Sequence, residues 1–141
     1  MAATVRTLGA SGWIRMLATW LALAVVMSIN GVFRELALRP AVGPRIASVL
    51  SAAIGIALVL LTTRALFPPL RGRGTGTLAA VSVVIGLLTV SFETALGIVV
   101  DHKSSSDLVE HYALWRGELW PIVLVVLVLT PFIWGRWWPV E

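Results

Sequence analysis

Ionisable side chains are costly inside a bilayer, so the charges that fall within apolar runs are the first candidates for chemistry in this chain. Glu93 lies about 16 residues into an apolar segment that starts at Leu78, roughly 24 Å along a helix. Arg34 lies about 19 residues beyond Arg15, roughly 28 Å along another. Two segments running the same way would bring both groups to one outer depth, where a carboxylate and a guanidinium predict a Glu93–Arg34 ion pair. Asn30 stands one turn below Arg34, and Glu35 follows it. Ser48 and Ser51 enter the next segment at that level, and Glu118 opens the last. The expected result is one polar cluster of Asn30, Arg34, Glu35, Ser48, Ser51, Glu93 and Glu118 drawn from four helices. Such a cluster can orient a bundle by satisfying its own charges. Equally, it can hold a proton, an ion or a polar ligand from the outer face.

Other chemistry is thinly represented. The chain has no cysteine, which removes disulfides, thiolate metal sites and thiol nucleophiles. His102 and His111 fall between apolar segments, whereas intramembrane haem ligation takes a histidine from within a span. A metal site from Asp101, His102, Glu110 and His111 is set against two ordinary histidines in a solvated loop. The serines have no G-x-S-x-G setting. Gly72, Gly74 and Gly76 are followed by no Walker lysine and read as a flexible loop. No catalytic, cofactor-binding or metal residue is therefore assigned. An enzyme built on Glu93, His102 and Tyr112 stays open.

These residues must be positioned by a membrane fold. Of the 141 residues, 58% are hydrophobic and 13% charged, against about 45–50% and about 25% in soluble domains. So little charge cannot cover so much apolar surface in water, and disorder is excluded by the same apolar excess. Apolar segments at Ile14–Phe33, Ile46–Leu66, Leu78–Val100 and from Leu119 to about Trp134–Arg136 are each long enough to cross a core of about 30 Å. The expectation is a single all-α domain, a bundle of four transmembrane helices. The first run contains Ala22-Leu23-Ala24 behind Arg6 and Arg15, as a signal peptide can. It continues unbroken to Phe33, longer than a signal core, and is read as a membrane helix.

Between spans three and four, Asp107 and Glu110 behind Ser104–Ser106 resemble a capping box. Leu108, Tyr112, Trp115 and Leu119 then share one helical face. This predicts a short amphipathic helix on the outer interface, with Leu108, Tyr112, Trp115 and Trp120 as interfacial contacts. Most of the seven tryptophans flank apolar runs, as interfacial anchors do. Small residues form stripes at Ala24, Ser28, Gly31 and Glu35, at Ser48, Ala52 and Gly55, and at Ser82, Gly86, Thr89, Glu93 and Gly97. They predict close packing among the first three helices. The fourth has no such stripe and is expected to face lipid or another apolar helix, with Pro131 kinking or ending it.

The net charge is +4, with the basic residues scattered singly rather than gathered as a nucleic-acid patch. The Arg71-Gly-Arg73 loop places itself and both termini in the cytoplasm. The strings N-G-V-F-R-E at Asn30–Glu35 and S-F-E-T-A-L-G at Ser91–Gly97, with Tyr112, Arg116-Gly117 and Trp120, resemble a group of small four-span bacterial inner-membrane proteins of uncharacterised function. The resemblance implies a shared pattern of Asn30, Arg34, Glu35, Glu93 and Gly97, and it carries no activity. Two functions are expected from these observations. One is a non-catalytic accessory or assembly subunit that docks through helix four and the amphipathic helix onto a larger membrane complex. The other is a small oligomeric transporter or channel using Glu93 and Arg34. Bound lipid and other membrane subunits, or further copies of the chain, are the expected partners; no cofactor or nucleic acid is.

Overall fold

The computed structural model describes residues 7–100, 102–110 and 118–138. Helices α1 (Ala10–Val42), α2 (Pro44–Leu66), α3 (Thr75–Val99) and α5 (Trp120–Trp137) are long and apolar enough to cross a membrane. A short helix, α4 (Ser105–Glu110), follows α3. No strand occurs among the described residues. The protein is an all-α, four-helix membrane bundle.

The first helix is longer than its apolar run. Rather than stopping at Phe33, it passes through a π turn at Arg34–Leu38 and ends at Val42. Arg34 and Arg39 both grip Glu35, at 3.1 and 2.6 Å, so the polar residues that close the apolar run also staple the helix onward. The Arg39 N–H reaches back five residues to the Arg34 carbonyl. This wider turn gives room to Pro40, whose ring crowds the carbonyl four residues before it in a regular α-helix. Gly43 then ends the helix at φ +83°, a conformation open to glycine, and Pro44 starts α2 where a missing N–H costs nothing. At 33 residues, or about 50 Å, α1 exceeds the hydrocarbon thickness.

Packing follows a fourfold register. Ala47, Ser51, Gly55, Val59 and Thr63, every fourth residue of α2, form its buried ridge. Helix α1 packs on α2, α5 sits between α2 and α3, and α1 touches α3 only slightly. Of the two expectations for the fourth helix, lipid or another apolar helix, the second is met through α2 and α3. The close packing expected among the first three helices holds for α1 with α2 and not for α1 with α3. Val123, Leu127, Thr130, Pro131 and Gly135 of α5 turn inward, while Ile122 and Val125 face out. Nor does Pro131 end the helix. The Thr130 hydroxyl donates to the Leu127 carbonyl at 2.6 Å, taking the acceptor that Pro131 has no N–H to serve. A π turn at Ile133–Trp137 then completes the span.

The core is unevenly distributed along the bundle. Met16, Val59, Leu78, Val81 and Ile85 are almost wholly buried in the half nearest the 67–74 loop. Two cross-helix ties use the same device. Trp134 Nε1 donates to Thr63 Oγ1 at 2.9 Å, and that hydroxyl donates to the Val59 carbonyl at 2.7 Å. Trp20 Nε1 donates to Thr89 Oγ1 at 3.1 Å, and Thr89 donates to the Ile85 carbonyl at 2.7 Å. Trp20 also meets Phe92 edge to face, with centroids 5.7 Å apart. Trp20, inside the first apolar run, and Trp134, at the end of the fourth, are thus internal ties between helices, and Trp134 departs from the anchoring role expected of tryptophans that flank apolar runs. At the loop end, Arg15 donates to the last carbonyl of α2, Leu66, at 2.8 Å, and Arg73 to the Thr7 carbonyl at 2.6 Å. Arg136 donates to Thr75 Oγ1 at 3.0 Å, and Arg64 lies over the Trp134 ring at 6.0 Å.

Candidate functional site

The opposite end of the bundle is hollow. A cleft of about 470 Å³ opens there, and all seven residues of the expected polar cluster line it. From α1 come Asn30, Arg34 and Glu35; from α2, Ser48 and Ser51; from α3, Glu93; and Glu118 lies just before α5. The cause is a change of residue size along the helices. Where the other half carries Met16, Leu78 and Ile85, the α1 and α2 walls of this half carry Ser28, Gly31, Ser48, Ser51 and Ala52 beside Met27. The α1 stripe shows the consequence. A methyl group added at Gly31 would meet no atom within 4 Å. Ser28, Gly31 and Glu35 therefore form a cleft wall rather than the helix–helix seam expected of small residues. On α2 the seam is present, since Gly55 faces Met27 Cε and the Asn30 amide.

The ion pairing differs from the expectation. Arg34 Nε bonds Glu35 Oε1 at 3.1 Å, and Arg39 completes the pair from the other oxygen. Arg34 does not pair with Glu93. Helices α1 and α3 are tied lower down, at Trp20–Thr89, and the cleft lies between their upper ends, whereas Glu35 is the adjacent residue on the same helix. Glu93 is half-buried and lines both the cleft and a small apolar pocket of about 20 Å³ beneath it. That pocket is walled by Trp20, Leu23, Met27, Phe92 and Leu127. Below it the packed core fills the bundle.

Asn30 and Ser51 are the buried members of the cluster, 6% and 4% exposed. Asn30 Nδ2 donates to the Ser51 carbonyl at 3.0 Å. Its Oδ1 is buried with no hydrogen-bond partner among the described residues. An orphan acceptor of this kind costs about 1–3 kcal/mol relative to a satisfied one. Trp120 and Val123 complete the wall on the α5 side.

Lys103 also lines the cleft and was not among the expected residues. It arrives through the turn that ends α3. His102 takes a left-handed conformation, φ 51°, and the Lys103 N–H donates to the Gly97 carbonyl six residues back at 2.8 Å. Such a turn is signalled in sequence by glycine at the left-handed position, and here histidine occupies it. The following helix is capped one turn earlier than expected. Ser104 and Asp107, rather than Asp107 and Glu110, form the reciprocal box. The Ser104 N–H donates to Asp107 Oδ2 at 3.0 Å, and the Asp107 N–H donates to Ser104 Oγ at 3.3 Å. The bonds from Ser104, with the nearby Lys103 charge, hold the Asp107 carboxyl below the usual aspartate range. Leu108 seats α4 on α3 at Gly97, where an added methyl group would come within 2.5 Å of Leu108 Cδ2.

Tyr112 and Trp115, proposed as interfacial contacts beside Leu108 and Trp120, lie outside the described residues, as do Asp101 and His111. No group of three metal-ligating side chains occurs among the described residues. The arrangement offers two cationic side chains, Arg34 and Lys103, and three carboxylates, Glu35, Glu93 and Glu118, around one half-apolar space. A space of this kind can hold a polar group carrying both charges. No protein-family model, curated protein or solved structure matches the chain.

Proposed function

We propose that this protein is a non-catalytic integral membrane subunit that works by binding, through a cleft open at one end only. The observation that carries this reading is the contrast between the two halves of the bundle. One half gathers Asn30, Glu93, Glu118, Arg34 and Lys103 around about 470 Å³, and the other is filled by Met16, Val59, Leu78, Val81 and Ile85. A site closed on one side suits a receptor for a polar group better than a conduit. The bundle also leaves much of its apolar surface outward, including Ile14, Leu21, Val25, Val83 and Leu87, which suits lipid and further membrane subunits or copies of the chain. The cluster of Arg15, Arg64, Arg71, Arg73 and Arg136 at the 67–74 end supports a cytoplasmic loop and termini, with the cleft on the outer side. The Asn30–Glu35 and Ser91–Gly97 strings, which resemble small four-span bacterial proteins, support a bacterial inner membrane as the location.

The chain has no cysteine, so single introduced thiols report access cleanly. Ser48→Cys is expected to react with a membrane-impermeant maleimide from the outer face. Ser82→Cys, in the filled half, is expected to react from neither face, and proteoliposomes are expected to pass no ions. Labelling of Ser82→Cys together with ion flux would replace this reading with the second one, a small oligomeric transporter or channel. The observation favouring that alternative is Glu93, which lines both the cleft and the pocket beneath it.

A further inference from the structure

The cleft has a side as well as a mouth. Two of its lining residues, Val32 and Leu36 of α1, are 57% and 76% exposed, so an apolar rim joins the polar interior to the lipid-facing surface. Deeper in, Met27, Trp120 and Val123 belong to both the cleft and the apolar pocket beneath it. Polar lining thus grades into apolar lining along the bundle, the profile of an amphiphile with its head at the outer end. The charges say which head. A purely anionic group would meet Glu93, Glu118 and Glu35 as well as Arg34 and Lys103. A quaternary ammonium has no N–H to offer Asn30 Oδ1, the buried acceptor without a partner. A primary ammonium beside a phosphate answers both conditions. Its N–H groups suit the carboxylates and the orphan amide oxygen, and its phosphate suits the guanidinium and the lysine.

We propose that the cleft is a lateral binding site for a phospholipid with a phosphoethanolamine headgroup. The apolar rim assigns the source to the membrane rather than to a free zwitterion. This inference rests on the one-ended cleft and names what enters it.

The test uses the full chain in mild detergent, given equal amounts of phosphatidylethanolamine, phosphatidylglycerol and phosphatidylcholine with identical acyl chains. Bound lipid is read by native mass spectrometry. Phosphatidylethanolamine is expected to be retained over the other two by about tenfold, the scale of one charge-assisted hydrogen bond. Glu93→Gln, which keeps the side-chain volume, is expected to abolish most of that preference while leaving the thermal unfolding midpoint near that of the parent. Asn30→Leu is expected to act in the same direction, and Glu93→Gln alone decides the matter where Asn30→Leu does not fold. Equal retention of the three lipids, a preference for phosphatidylglycerol, or a preference unmoved by Glu93→Gln overturns the proposal. Excess glycerophosphoethanolamine is expected to leave the lipid in place, and its displacing the lipid would overturn the membrane source. If the lipid preference is missing while Ser48→Cys still labels from one face and vesicles stay tight, the headgroup assignment fails and the one-ended cleft stands.

Discussion

Thr63 and Thr89 do the same job at two heights in the bundle. Each hydroxyl accepts an indole N–H from another helix and donates its own proton to a carbonyl one turn back in its own helix. Interhelical hydrogen bonds in membrane proteins contribute about 0.6 kcal/mol on average, reaching about 1.7 kcal/mol. Thr63→Val also leaves the Trp134 N–H without its acceptor, so it is expected to cost about 1–2 kcal/mol in a reversible unfolding titration. Trp134→Phe and Thr63→Val combined should then cost less than the sum of the two single losses, because both remove one bond. Asp107 supplies a second prediction at this scale. Its carboxyl is held low by Ser104 and Lys103, so its bonds support α4 fully above the usual aspartate range. That support is lost as pH falls through the lowered value. Amide exchange of Leu108–Glu110 is therefore expected to speed up only at the acid end of a titration, relative to a Ser104→Ala protein that lacks the cap throughout. Acceleration near neutral pH would contradict it. Sequence pattern could not show these two ties, because the threonine partners lie 69 and 71 positions from their tryptophans, beyond any periodicity.

At the scale of elements, two glycines separate packing from propensity. Gly135 of α5 lies against α3 and the preceding loop. A methyl group there would come within 2.7 Å of Leu78 Cδ2 and 3.2 Å of the Leu70 carbonyl oxygen, which is backbone and cannot swing aside. Gly31 of α1 faces the cleft and meets nothing. Gly135→Ala is expected to destabilise the bundle by about 1–3 kcal/mol through overpacking. Gly31→Ala should stabilise it by up to about 1 kcal/mol through helix propensity. Thermal unfolding of the two proteins in one detergent checks the opposite signs. The four spans were legible in sequence because apolar length alone specifies them. The polar cluster was legible because a charge within such a run has few places to go. Three features were hidden. The continuation of α1 to Val42 depends on a π turn before Pro40. The entry of Lys103 depends on His102 adopting a glycine-like conformation. The place of α5 between α2 and α3 depends on Val123 and Leu127 fitting partners that no α5 pattern names.

Across the whole molecule, size and charge are graded along one axis. The end near the 67–74 loop carries the packed core and Arg15, Arg64, Arg71, Arg73 and Arg136, with no acid among its described residues. The cleft end carries Glu35, Glu93, Asp107, Glu110 and Glu118. Those arginines also act in the fold, since Arg15, Arg73 and Arg136 bind Leu66, Thr7 and Thr75 across chain segments. Three of the basic residues at this end, Arg15, Arg73 and Arg136, thus also make the bonds that close it. An orientation set by this end must place positions 7 and 71 on one side and position 105 on the other. With no native cysteine to interfere, Thr7→Cys and Arg71→Cys should both resist an impermeant maleimide in intact cells and react after permeabilisation. Ser105→Cys should react before it. Arg71→Cys removes only one of the five arginines at that end among the described residues, so it should not itself invert the protein. Labelling of Thr7→Cys and Ser105→Cys from the same face would break the four-span topology. Reversal of all three would keep the bundle but turn the cleft toward the cytoplasm, and the lipid proposed for it would then come from the inner leaflet.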